Sequence, residues 1–99
     1  MKIFDKAAWQ IDGGISEEIV IAHFTAVLEW LQSMNMLSAD GEEVLEIGID
    51  DSVSLNEKML SEEGNEFLTK YYDEMISKSK YISTVVKDLL DSYYKEFKK

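Results

Sequence analysis

The sequence predicts an all-α fold, a compact bundle of about four to five helices in a single helical domain over residues 1–99. Three observations predict it. Apolar residues recur at steps of three and four along the long segments. Serine followed by two acids, a helix N-terminal signature, opens two of them. Proline is absent, so no helix has to break.

The elements follow from local chemistry. Asp5 to Asp12 reads as a short helix capped by Asp5 and stopped by Gly13-Gly14. Ser16, with Glu17 and Glu18 behind it, opens a helix to about Asn35. Its stripe of Val20, Phe24, Val27, Leu28, Leu31 and Met34 is widened by Ile19, Ile21 and Trp30. A helix this apolar belongs at the centre of the bundle. Ser38 or Asp40 caps a third, short helix carrying Val44, Leu45, Ile47 and Ile49. Residues 52–60 are ambiguous between a loop and a strand. Val53 and Leu55 alternate with Ser52, Ser54 and Asn56, and Met59-Leu60 could pair back as a short β-hairpin. Ser61-Glu62-Glu63 opens a helix to about Ser77 that buries Phe67, Leu68, Tyr71, Tyr72, Met75 and Ile76. The last helix, from about Lys80 to Phe97, has the cleanest stripe: Ile82, Val85, Val86, Leu89, Leu90, Tyr93 and Phe97.

Charge is the second strong signal. The net charge is −10, every basic residue is a lysine, and arginine is absent. Ala7 to Glu57 holds eleven acids and no lysine, whereas Lys58 to Lys99 is balanced. Such a chain repels nucleic acid unless it keeps a local basic patch, for which Lys70, Lys78, Lys80 and Lys87 are the candidates. Six carboxylates fall within twelve residues: Asp40, Glu42, Glu43, Glu46, Asp50 and Asp51. Their field would steer a cationic partner.

Catalytic and metal chemistry find no support. Cysteine is absent, which removes thiolate ligands, thiol nucleophiles and disulfides. No EF-hand register works: from Asp40 the sixth position is Leu45, and from Asp50 or Asp51 it is Leu55 or Asn56. The paired carboxylates fall at helix starts and turns, where capping explains them. His23, the one histidine, lies beside apolar neighbours as a half-buried packing residue. Tyr71-Tyr72 and Tyr93-Tyr94 are adjacent on their helices, so one of each pair must leave the stripe centre. Tyr72 and Tyr94 are therefore candidate contact residues. The N-terminus has no apolar run, and no stretch approaches the roughly 18 apolar residues of a membrane span. A cytoplasmic location without membrane partners is expected.

Leu60-Ser61-Glu62-Glu63-Gly64-Asn65-Glu66-Phe67 resembles the strand-to-helix segment after the wing in winged-helix regulators. That resemblance covers eight residues and implies a helical regulatory module, against which the acidic balance stands. The leading expectation is a non-enzymatic, cofactor-free acidic module that binds a basic protein. An immunity or inhibitor protein neutralising a nuclease toxin is of this type. Its contact set would be the six clustered carboxylates with Tyr72 and Tyr94. A structural homo-oligomer, with a homodimer as its simplest form, is the third expectation.

Overall fold

The computed structural model describes every residue from Met1 to Lys99. The chain runs β1 (Ile3–Lys6), α1 (Ala7–Asp12), α2 (Glu17–Ser33), α3 (Ala39–Ile47), β2 (Ser54–Asn56), a 3₁₀ turn (Glu57–Met59), α4 (Glu62–Ser79) and α5 (Ser83–Phe97). It is a mostly helical bundle with one small antiparallel sheet. No helix is long and apolar enough to cross a membrane.

α2 is the centre of the bundle, packing against α1, α3 and α5. Its stripe buries Val20, Phe24, Val27, Leu28 and Leu31. α5 lies along α2 and α4, burying Val86, Leu90 and Tyr93. Trp30 ties the two helices by donating its indole N–H to Asp91 Oδ1 at 2.7 Å. An aromatic cluster closes this end: Trp30 stacks on Phe67 at 5.2 Å, and Tyr71 stacks on Tyr93 at 5.0 Å. The core comprises 22 buried hydrophobic residues, of which Phe24 and Phe67 are the largest fully buried.

The start of the chain departs from its sequence reading. Asp5 does not cap a helix. It lies in β1, and Lys6 occupies the cap of α1 without a side-chain bond. The 52–60 segment does hold a strand, but Met59-Leu60 does not pair back on it. β2 pairs with β1, in register Ile3 with Asn56 and Lys6 with Ser54, while Leu60 bridges to Leu37. Val53 and Leu55 are buried by this pairing. A local alternation pattern carries no information about which distant segment completes the sheet.

Serine caps set the starts of α2, α3 and α4, with Ser38 and not Asp40 capping α3. Ser16, Ser38 and Ser61 accept from the N–H of Ile19, Gly41 and Gly64. Gly41 and Gly64 are required by space. A Cβ at Gly41 would lie 2.1 Å from the Met59 carbonyl oxygen, and one at Gly64 would lie 2.6 Å from that of Met36. The winged-helix-like glycine thus has a packing cause in this chain. α5 begins at Ser83, three residues after the expected start near Lys80, because Lys80 and Tyr81 both take the left-handed conformation, φ 49° and 65°.

Candidate functional site

α3 and the segment after it enclose an open groove of about 460 Å³. Asp40, Glu43, Val44 and Ile47 form the α3 wall. Steps of three and four place these residues on one face, while Gly41 and the half-buried Leu45 turn toward the core. The opposite wall is Asp50, Ser52, Val53, Ser54 and Asn56, and Lys58 and Met59 close the end. Ser38 holds that end by accepting from Gly41 N and donating to the Lys58 carbonyl. Ile47 is 78% exposed on the rim, an unusual position for so large an apolar side chain in an acidic setting.

The sheet contributes backbone to the same groove. Ala7 N donates to Val53 O and Glu57 N to Lys2 O, both at 3.1 Å. In an antiparallel pair this alternation turns the backbone of Ser54 and Asn56 away from β1, toward the free edge. Asn56 Nδ2 donates to the Ser54 carbonyl at 2.9 Å. The outward N–H groups of Ser54 and Asn56 belong to groove-lining residues.

The six clustered carboxylates divide. Asp40, Glu43 and Asp50 line the groove; Glu46 and Asp51 are exposed outside it. Glu42 turns to α2, where its Oε2 accepts from Gln32 Nε2 at 2.7 Å. Asp50 Oδ1 accepts from both the N–H and the hydroxyl of Ser52. The Ser52 hydroxyl first, then its N–H, holds the Asp50 carboxyl below the usual carboxylate range. No three of the acids and His23 are grouped as metal ligands.

The tyrosine candidates behave differently. Tyr72 is buried and is removed from the set of surface contact residues. Its hydroxyl donates to Asp5 Oδ2 at 2.7 Å, so the helix face that leaves the stripe meets β1 instead of solvent. Tyr94 is half-buried in the aromatic cluster, its ring 6.0 Å from Trp30 and 6.1 Å from Phe67, with the Lys98 ammonium over it.

Tyr72 leads to a buried polar network. Asp5 is 3% exposed and accepts four hydrogen bonds. Oδ2 takes the hydroxyls of Tyr72 and Tyr81, and Oδ1 takes Lys6 N and Gln10 Nε2. Because the Tyr72 proton is committed to Asp5, its oxygen accepts from His23 Nε2 at 3.0 Å. That pattern assigns the Nε2–H tautomer and leaves Nδ1 bare and buried without a partner. His23 is fully buried, deeper than its sequence context suggested. Burial brings its imidazole down to about 4, only partly opposed by the Asp5 carboxylate. Burial first, then Asp5, pushes Tyr72 well above the ordinary phenol value.

Of the lysines proposed as a basic patch, Lys87 pairs with Glu29 at 3.2 Å and Lys78 with Glu74 at 3.9 Å, which halves the free charge. The residues that sequence reasoning missed at the groove are Ser52, Ser54, Asn56 and Lys58. The helical phase shared by Asp40, Glu43, Val44 and Ile47 was the available signal. The chain matches no family model, no curated protein and no solved structure.

Proposed function

We propose that the chain is an acidic protein-binding module whose α3–β2 groove receives a basic segment of another protein. A role of the immunity or inhibitor kind, masking a cationic surface such as that of a nuclease, fits this chemistry. The observation that carries the reading is the mixed lining of the groove. Asp40, Glu43 and Asp50 stand around Val44 and Val53, with Ile47 on the rim, so one partner segment can place cations and an apolar side chain in the same groove. The outward N–H groups of Ser54 and Asn56 add main-chain hydrogen bonding for an extended segment.

The charges act first. Carboxylates on an open rim speed encounter with a cationic surface, whereas the apolar floor slows dissociation. The test is the association rate constant with the protein captured on immobilised chain from host lysate. It should fall steeply as salt rises, since the Debye length shrinks from about 30 Å at 0.01 M to about 8 Å at 0.15 M. A salt-independent rate, or a captured protein with no basic surface, would refute the reading.

A further inference from the structure

The opposite end of α2 carries a surface of another kind. Ile19 is 48% exposed, Ile82 56% and Val85 38%. Together with Ile15 and Ala22, Ile19 and Ile82 line a depression of about 400 Å³ between the start of α2 and the turn into α5. Val85 follows Ile82 by one helical step of three and extends the same face. The cause is visible in the backbone. The left-handed pair Lys80 and Tyr81 turns Tyr81 inward to Asp5 and thereby leaves Ile82 outward.

The rims of this depression carry one charge of each sign. Glu18 stands on the α2 wall and Lys80 on the other, and neither takes part in an ion pair within the chain. We infer that this face joins two copies of the chain in a symmetric dimer. A two-fold axis along the depression lays the α2 wall of one copy on the Lys80–Val85 wall of the other. Glu18 then meets the partner's Lys80, and the pairing occurs twice. A partner of a single charge sign would match one rim and oppose the other.

The acids of α3 do not forbid this contact. α3 reaches α2 at Gln32, thirteen residues beyond Ile19. At 1.5 Å per residue that separation is about 20 Å, well past the roughly 8 Å Debye length at physiological salt. The acidic groove and the apolar face thus lie at opposite ends of one helix and can be occupied together.

Sedimentation equilibrium of the full chain tests the proposal without any other protein. Wild type should show a monomer–dimer equilibrium below about 1 mM. Ile82→Glu and Val85→Lys, both at exposed positions, should each weaken it about tenfold or more while circular dichroism stays unchanged. Glu18→Lys and Lys80→Glu should each weaken it, and the double reversal Glu18→Lys/Lys80→Glu should restore it, because position 18 of one copy then again faces an opposite charge at position 80 of the other. A chain that stays monomeric to about 1 mM overturns the proposal. A dimer indifferent to Ile82→Glu and Val85→Lys, or a double reversal that restores nothing, overturns it as well.

Discussion

The Tyr81 hydroxyl donates to Asp5 Oδ2 at 2.7 Å, joining the first strand to the turn that opens the last helix, 76 residues away in sequence. Tyr72 donates to the same oxygen, so one carboxylate holds β1, α4 and the α4–α5 turn together. The left-handed backbone at Lys80 and Tyr81 costs on the order of 1 kcal/mol per residue, and the Asp5 bond offsets part of it.

Asp5→Ala should therefore cost on the order of 3 kcal/mol, because it strands two buried hydroxyls at once. Tyr81→Phe removes one donor and should cost about 1–2 kcal/mol. Urea denaturation of both variants measures this. An Asp5→Ala chain as stable as wild type would show that the network is dispensable.

Stability should depend on pH through His23. Its folded value, about 4, lies below the ordinary 6.5, so the fold favours the neutral ring. Above pH 6.5 neither state binds the proton and the full stability is present. Below it the unfolded chain takes up the proton first, and stability falls until the folded ring titrates near pH 4. The loss across that window is about 3 kcal/mol. Subtracting the pH–stability curve of His23→Leu from that of wild type isolates this slope from the carboxylates. Parallel curves between pH 4 and 6.5 would contradict it.

Two glycines in first helical turns should resist alanine. Helix propensity alone would reward Gly41→Ala and Gly64→Ala by up to about 1 kcal/mol. The carbonyl oxygens of Met59 and Met36 occupy the space, so both should instead lose about 1–3 kcal/mol, with Gly41 the worse. Thermal melts rank them, and a stabilised Gly41→Ala chain would refute the close approach.

On α5, Leu90→Ala should cost about 2–5 kcal/mol, since Leu90 is fully buried. Leu89 is only half-buried against the core and should cost less. Equal losses in chemical denaturation would place the helix in another rotation.

These pairs also show what the sequence could reveal. The stripes of α2, α4 and α5 and the caps at Ser16, Ser38 and Ser61 were legible, because helical bonds and caps join residues three or four apart. The partner of β2 was not legible, because it lies some fifty residues upstream in β1. Asp5 looked like a cap for the same reason: its four donors include Tyr72 and Tyr81, which only the tertiary fold brings near. In the candidate site the acidic stretch was visible as composition, and helical phase separates Glu42 from Asp40 and Glu43. What each side meets was not visible, since Gln32 of α2 and the segment after α3 are brought there by the tertiary fold.

The groove claim is tested most directly by two charge-matched variants measured against the captured basic partner. Asp40→Asn/Glu43→Gln/Asp50→Asn removes three charges from the groove. Glu66→Gln/Asp73→Asn/Asp88→Asn removes three exposed charges from α4 and α5, outside it. At low salt the groove variant should associate about tenfold more slowly than wild type, and the control should stay within about twofold. Equal slowing of both would show that net charge, and not the α3–β2 groove, attracts the partner.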